Sequence, residues 1–180
     1  MEKVVAGDIE ALGVIFERYR VPLFGFLYRL TNNVSQAEEI LPDVFLRVYD
    51  KRHTYKPGTK FSSWLYAVAR NLTIDRQRRA RHYDLLQDQM MADDTLLIDD
   101  SMQDNMNKQE ISILVKSAIN ALPDDLKTII ILREYQGLSY REIASVVNMS
   151  EQVVRVRAHR ARGTLKKLLK PLLETEESIL

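Results

Sequence analysis

The stretch SEQVVRVRAHRAR, Ser150–Arg162, holds four arginines and one histidine among thirteen residues, separated mainly by valine and alanine. Apolar residues that recur at intervals of three and four predict an amphipathic helix with one buried stripe. The stripe expected in this helix consists of Val154, Ala158, Ala161 and Leu165. The basic side chains then fall on the remaining surface, where a partner can reach them.

The surface opposite the buried stripe has the groups that bind base edges. It consists of Gln152, Val156 and His159, flanked by Arg155 and Arg160. Amide, guanidinium and imidazole groups can contact bases, and a valine can touch a thymine methyl. Arg157 and Arg162 lie on the shoulders of the helix, where phosphates position it without specifying sequence. The alternative is a solvated amphipathic helix.

A second, shorter helix precedes this one. Ser139 and Glu142 have the spacing of a capping box, which predicts a helix from there to about Val147. The residues NMS, 148–150, turn the chain, and Ser150 caps the helix that follows. Two helices joined by so short a turn are typical of a helix-turn-helix, whose second helix enters the major groove. This arrangement favours DNA binding over a solvated surface.

The total charge hides an uneven distribution. The 180 residues have a net charge of +1 and no cysteine. Residues 84–110 have eight acidic side chains and one basic one, while residues 1–83 and 111–180 each have an excess of basic ones. Two basic modules joined by an acidic segment indicate a nucleic-acid partner. No signal peptide or membrane span is expected, and the chain suits a reducing cytoplasm.

The sequence predicts an all-α fold with two small domains. Apolar periodicity predicts a helix over residues 9–30, which Pro22 should kink or split, and a helix opened by a capping box at Ser35 and Glu38. A loop at 53–60 precedes a helix from Phe61 to Arg81. The second domain opens near Lys108, and its later helices are separated by Gly137 and the NMS turn, with the last helix ending at Pro171.

The predicted boundaries are 1–83, 84–107 and 108–180. The middle segment, residues 84–107, lacks helical periodicity and is rich in aspartate. It is therefore predicted to be a flexible acidic linker that lets the two domains move independently. Proteolysis is expected to cut it first. A solvated spacer and a segment that binds in a basic channel remain alternatives for its role.

Three segments resemble the extracytoplasmic-function sigma factors of bacterial RNA polymerase. GLSYREIASVVNMSEQVVRVRAHRARGTLK, residues 137–166, resembles that family's last domain. SQAEEILPDVFLRVY, residues 35–49, and KFSSWLYAVARNLTIDRQRR, residues 60–79, resemble its first. The resemblance implies that the first domain binds the polymerase clamp and melts the minus-ten promoter element. It implies that the last domain meets the flap region and recognises the minus-thirty-five element.

The resemblance and the residue types together suggest three groups of site residues. The minus-thirty-five group comprises Arg141, Gln152, Arg155, Val156, Arg157, His159, Arg160 and Arg162. The minus-ten group comprises Lys60, Phe61, Trp64, Arg70, Asn71, Arg76, Arg78 and Arg79, and the loop at 53–60 is implied to hold a flipped-out base. The polymerase group comprises Glu39, Asp43, Leu46 and Arg47, with Phe45 and Val48 in the core.

Some of these interpretations have open alternatives. Trp64 is equally compatible with the core, and the arginines that follow it could be a phosphate clamp without sequence preference. Pro42 stands where the family usually has glutamine, and it should kink its helix. The resemblance further implies an anti-sigma factor as a partner. No cofactor, metal site or enzymatic activity is expected, because the three histidines are scattered and no phosphate loop is present. The rival function is a non-sigma helix-turn-helix regulator that binds operator DNA.

Overall fold

The structure is a computed structural model that describes residues 1–86 and 106–177, with side-chain surroundings over 1–80 and 111–170. The amino-terminal module contains α1 (Glu2–Val5), α2 (Ile9–Thr31), α3 (Val34–Asp50), a 3-10 turn (Arg52–Thr54) and α4 (Phe61–Leu86). The carboxyl-terminal module contains α5 (Met106–Asn120), α6 (Asp124–Ile130), a π-helical turn (Ile131–Tyr135), α7 (Tyr140–Val147) and α8 (Glu151–Glu177). The described residues contain no strand.

The amino-terminal module is built around one face each of α2, α3 and α4. Its fully or nearly fully buried side chains are Leu23, Phe26, Leu27, Ile40, Val44, Phe45, Val48, Leu65 and Ala69. The three- and four-residue spacing of these positions places them on one side of each helix. The core roles expected for Phe45 and Val48 are confirmed.

The junction between α2 and α3 is tighter than the sequence predicted. Asn32 ends α2 in the left-handed conformation, at φ 54°. Asn33 then caps α3, since its side-chain oxygen accepts a hydrogen bond from the backbone N–H of Gln36 at 2.9 Å. The predicted capping box at Ser35 and Glu38 is therefore wrong. Asparagine is as good an N-cap as serine, and the left-handed residue before it fixes the turn.

Prolines do not divide the helices in which they lie. Pro22 lies inside α2 and Pro42 lies inside α3, and both helices are continuous across them. The last helix also continues past Pro171 to Glu177, so its predicted end at Pro171 is wrong. A proline within a helix removes one backbone hydrogen bond at a cost of about 3 kcal/mol. In α2, the buried residues Leu23, Phe26 and Leu27 lie within five residues after Pro22, and their burial offsets that cost.

The carboxyl-terminal module contains the predicted helix-turn-helix. Gly137, at φ 65°, adopts a conformation that glycine tolerates best and separates the π-helical turn from α7. The Ser139 and Glu142 capping box opens α7, as the sequence predicted, and Asn148 ends it at φ 54°. The Ser150 hydroxyl accepts a hydrogen bond from the backbone N–H of Val153 at 3.3 Å.

The two modules pack against each other. One continuous group of buried side chains includes Phe26 and Leu65 of the first module and Ile131 and Ile143 of the second. α4 packs on α7, and α2 packs on the π-helical turn. This arrangement differs from the predicted independent movement of the domains. The prediction of independent movement rested on the acidic segment. Apolar faces on both modules instead favour their association.

The segment that joins the modules lies mostly outside the described residues. α4 extends to Leu86 and α5 begins at Met106, so both ends of the predicted 84–107 linker are helical. The predicted cleavage region extends from Asp84 to Asn107, and its residues 87–105 lie outside the described residues.

Candidate nucleic-acid interface

The outer surface of α8 matches the surface predicted to read bases. The stripe residues Val154, Ala158 and Ala161 are fully buried against the rest of the module. The exposed residues of the predicted minus-thirty-five group are Arg141 on α7 and Gln152, Arg155, Val156, His159, Arg160 and Arg162 on α8. A helix with one buried stripe and an exposed polar surface, second in a helix-turn-helix, has the geometry that enters a major groove.

The two shoulder arginines of α8 have partners within the module. Arg157 is half-buried and forms an ion pair with Asp125 of α6. The Arg162 guanidinium donates to the Tyr140 hydroxyl at 2.7 Å and lies 3.4 Å from a carboxylate oxygen of Glu134. Both arginines are thus oriented by neighbouring helices before any ligand arrives.

The amino end of α4 is surrounded by aromatic rings. Trp64 is half-buried and lies edge-on to Tyr55, with ring centroids 5.6 Å apart. The Phe61 ring contacts the rings of Trp64 and Tyr55. It also contacts the Tyr19 ring, and the centroids of Phe61 and Tyr19 are 5.3 Å apart. The sequence reasoning missed Tyr19 and Tyr55. The sequence signal for Tyr55 was its position in the loop, two residues before the Pro-Gly pair.

Further along α4, exposed polar groups follow the aromatic residues. Asn71, Arg78 and Arg79 are exposed, and Lys60 is exposed just before the helix begins. Arg70 is half-buried, and burial lowers the pKa of its guanidinium. An aromatic group, an amide and a guanidinium thus follow one another along α4 in the predicted order.

A cavity of roughly 500 Å³ lies between the modules. Arg70 and Arg78 of α4 line one side, and Asp125 and Lys127 of α6 line the other. Lys127 is buried, and its Nζ donates to the backbone carbonyl of Leu30 at 3.0 Å. Burial lowers the pKa of this lysine. Two residues of the predicted minus-ten group therefore face the other module.

The predicted polymerase-binding residues lie on the outer side of α3. Leu46 is 64% exposed although it is apolar, and Arg47 is exposed beside it. Asp43 forms an ion pair with Arg76 of α4, and Glu39 lies 3.7 Å from the same guanidinium. The structure thus joins Arg76, predicted to bind DNA, to two residues predicted to bind polymerase.

A salt bridge between the modules begins at the loop before α4. The Lys60 ammonium lies 2.7 Å from a carboxylate oxygen of Glu142 in α7. The same carboxylate accepts hydrogen bonds from the backbone N–H of Ser139 at 2.7 Å and from its hydroxyl at 2.8 Å. The hydrogen bond from Lys60, followed by the one from the Ser139 backbone, lowers the pKa of Glu142 to about 2. Glu142 therefore links the start of α7 to the start of α4.

Stability is expected to depend on pH through Glu142. A carboxyl group whose pKa is lowered by folding stabilises the native state above its unfolded pKa, and this contribution is lost as the pH falls through the folded value. The difference in urea midpoint between wild type and Glu142→Gln should therefore be constant near neutral pH. It should shrink between the unfolded value of 4.5 and about 2. Glutamine retains the capping box, so the variant isolates the charge.

The matched control for this measurement is Glu17→Gln. Glu17 pairs with Arg20 within one exposed helical turn, and such pairs contribute little to stability. Its midpoint should differ little from that of the wild type at neutral pH. A wild-type advantage over Glu142→Gln that persists unchanged down to pH 2 would contradict the role of the charged carboxylate.

Within residues 1–80 and 111–170, whose side-chain surroundings are described, no group of three or more histidine, cysteine or acidic residues is arranged to hold a metal ion. Over the same part of the chain, none of the helices combines the length and the apolar character needed to cross a bilayer.

Family models match both modules. Residues 15–83 match the sigma-70 region 2 family, and residues 112–165 match the sigma-70 region 4 family. The second match spans the helix-turn-helix, and the first spans most of α2, all of α3 and most of α4.

Curated relatives align with nearly the whole chain. The ECF RNA polymerase sigma factor SigW of Bacillus subtilis is 32% identical over 96% of this chain and 96% of its own. The RNA polymerase sigma-H factor of Pseudomonas aeruginosa is 31% identical over 96% of this chain and 93% of its own.

Solved structures share the fold. The sigma factor RpoE of Bartonella quintana, described in complex with the anti-sigma factor NepR, superposes with a TM-score of 0.73 at 23% identity. That match covers 87% of this chain and 96% of the other. CnrH, described in complex with the cytosolic domain of CnrY, gives a TM-score of 0.69 at 22% identity over 94% of both chains. With region 2 and region 4 matched in order and relatives aligned over 96% of its length, this chain belongs to the ECF sigma factors of the sigma-70 family.

Proposed function

We propose that the protein directs core RNA polymerase to promoters by dividing the promoter DNA between its two modules. Residues 1–83 would bind the core enzyme and melt the minus-ten element, and residues 108–180 would recognise the minus-thirty-five element. Residues 84–107 would connect the two. The observation that carries the proposal is the exposed surface of α8 on the second helix of a helix-turn-helix, in a chain of the sigma-70 family.

Recognition of the minus-thirty-five element is assigned to α8 and Arg141. Arg155 and Arg160 would contact base edges, because they flank the surface opposite the buried stripe. Gln152, Val156 and His159 would lie between them. Arg157 and Arg162 would contact phosphates, which requires them to exchange their carboxylate partners for DNA.

Opening of the minus-ten element is assigned to the amino end of α4. An unstacked base binds well to an aromatic ring, and Trp64 lies in a group of four aromatic residues there. Lys60, Phe61 and Asn71 would contact the separated strand. Arg78 and Arg79 would bind its phosphates. Arg70 and Arg76 would join them, which requires Arg70 to leave the cavity between the modules and Arg76 to exchange its carboxylate partners for DNA.

Binding of the polymerase clamp is assigned to the outer side of α3, and binding of the flap region to the carboxyl-terminal module. An exposed leucine beside an arginine and two carboxylates has the mixed composition of a protein interface. An anti-sigma factor is the further partner that membership of this family implies. The protein would act in the cytoplasm, where the polymerase is, and the chemical step of RNA synthesis would belong to the polymerase and not to this chain.

The test is transcription in vitro with core polymerase and a genomic promoter library. We expect start sites that appear only when this protein is added, each preceded by common minus-ten and minus-thirty-five elements. The rival regulator would instead bind duplex operator DNA without core enzyme and would give no new start sites. That result would overturn the proposal.

A Leu46→Asp variant is expected to lose affinity for core polymerase by roughly tenfold or more. A carboxylate placed in an apolar contact must be desolvated when the interface forms, which is costly. The measurement is a titration of labelled protein with core enzyme. Val14→Asp is the matched control, since Val14 is 61% exposed on α2, outside the predicted polymerase group. Equal affinity of both variants and the wild type would contradict the assigned surface.

A further inference from the structure

Tyr140, the first residue of α7, has contacts with three arginines. The guanidinium of Arg133 lies 4.8 Å from the centroid of the Tyr140 ring, and that of Arg155 lies 5.1 Å from it. The third, Arg162, donates from Nη2 to the Tyr140 hydroxyl at 2.7 Å. The ring is half-buried and packs against the core of the module. One fixed side chain therefore contacts both Arg155 and Arg162 of α8.

Each of these two arginines is also held from a second direction. Arg155 donates to the Glu151 carboxylate from Nε at 3.1 Å and from Nη2 at 2.5 Å. Arg162 lies beside Glu134, and the Tyr140 hydroxyl is the first cause of the raised pKa of its guanidinium. Their side chains nevertheless remain 60% and 48% exposed. They are thus oriented and still accessible to a ligand.

Orientation matters for arginine because its free side chain has many rotamers. An arginine side chain loses rotamer entropy when it binds, and it loses less when the guanidinium is already positioned. A cation over an aromatic ring is held by the ring, and a hydroxyl acceptor adds direction. Arg133 is itself fixed, since it donates to the carbonyl oxygen of Leu138 at 2.9 Å.

We propose that Tyr140 is a positioning residue that presents Arg155 and Arg162 to promoter DNA, by two separate means. The aromatic ring orients Arg155, which is assigned to a base edge, and the hydroxyl orients Arg162, which is assigned to a phosphate. This inference rests on the proposed function of α8. It adds to that function a residue outside the recognition helix. This residue sets both the base specificity and the strength of the contacts with DNA phosphates.

The two means can be separated by two substitutions. Tyr140→Phe removes the hydroxyl and keeps the ring, whereas Tyr140→Leu removes both. With holoenzyme and a duplex library randomised over the minus-thirty-five element, Tyr140→Phe should weaken binding of all sequences about threefold and make the salt dependence shallower. Tyr140→Leu should weaken binding about tenfold and also relax the base preference that Arg155→Ala relaxes.

A double-mutant cycle tests the coupling directly. In an Arg162→Ala background, Tyr140→Phe should cause no further loss, because its only route to DNA has been removed. A loss that persists in that background would overturn the positioning role. Tyr135→Phe is the matched control, since that exposed tyrosine also lies beside an arginine, Arg29, and is outside the DNA-binding group.

The outcomes distinguish this inference from the function on which it rests. If Arg155→Ala and Arg162→Ala weaken DNA binding while both Tyr140 variants behave as wild type, only the positioning role is wrong. If neither arginine variant changes DNA binding, the assignment of α8 fails, and the inference fails with it. Thermal unfolding of each variant identifies loss of fold, and Tyr140→Phe preserves the packed ring if Tyr140→Leu does not fold.

Discussion

Arg160→Ala is expected to weaken binding to the minus-thirty-five element by about 1–3 kcal/mol and to relax preference at one or two base pairs. Arg160 is exposed on α8 one turn after Val156, on the surface opposite the buried stripe. A guanidinium in that position can form two hydrogen bonds with one guanine edge. The measurement is binding or transcription by the holoenzyme over a randomised element at two salt concentrations.

Three further substitutions on α8 serve as comparisons. Lys167 lies on the same side of α8 as Arg160, two turns beyond it. Lys167→Ala should therefore leave base preference unchanged. Arg157→Ala and Arg162→Ala should weaken all sequences alike and reduce the salt slope by about one unit each. A change of base preference in Arg157→Ala but not in Arg155→Ala or Arg160→Ala would reverse the assignment of surfaces.

Phe26→Ala is expected to lower the free energy of unfolding by about 3–5 kcal/mol, the largest effect on stability that we predict. Phe26 is fully buried, and its ring lies edge-on to Tyr66 with centroids 5.0 Å apart. Alanine leaves a cavity that neighbouring side chains fill only in part, and the aromatic pair is lost as well. Urea denaturation followed by circular dichroism measures the change.

The matched control for Phe26→Ala lies on the same helix. Val21 is 67% exposed on α2, and Val21→Ala should change stability by less than about 0.5 kcal/mol. A cost below about 1 kcal/mol for Phe26→Ala would show that the site collapses around the smaller residue. Such a small cost would contradict the role given to the Phe26 ring in the core.

Local sequence signals predicted the carboxyl-terminal module well. The capping box at Ser139 and Glu142 and the turn at Gly137 are confirmed. Three of the four residues of the predicted stripe of α8 are fully buried, and the fourth, Leu165, is half-buried. Each of these features depends on residues within four positions of one another, so the chain nearby contains all the information. The exposed positions of Arg155 and Arg160 follow from the same helical geometry.

Local sequence signals predicted the structure less well where a neighbouring residue or the packing of the helix opposed them. Ser35 and Asn33 are both good N-caps, and Asn33 is selected because Asn32 turns the chain directly before it. Pro171 predicted a helix end from backbone chemistry alone, yet α8 continues past it to Glu177. In α3, which continues past Pro42, the buried residues Ile40 and Val44 lie on either side of the proline, and such packing is not visible in a local window.

Contacts between distant residues could not be predicted from periodicity. Tyr66 donates to Gln136 Oε1 at 2.5 Å, and burial raises the pKa of this tyrosine to about 12. Lys60 and Glu142 form their salt bridge from different modules. Nothing in the spacing of either segment specifies the other. The group formed by Tyr140 and its arginines was missed for the same reason, because its members come from three separate elements.

The shared core of the two modules has a consequence for synthesis of the chain on the ribosome. About sixty residues separate Ala69, the last buried alanine of α4, from Ile129 of α6. At about 5–20 residues per second, the amino-terminal module emerges about 3–12 s before the apolar partner that will cover it. During those seconds its uncovered face is accessible to chaperones and to neighbouring nascent chains. Translation speed across residues 70–128 therefore sets how long this protein is exposed to misassembly.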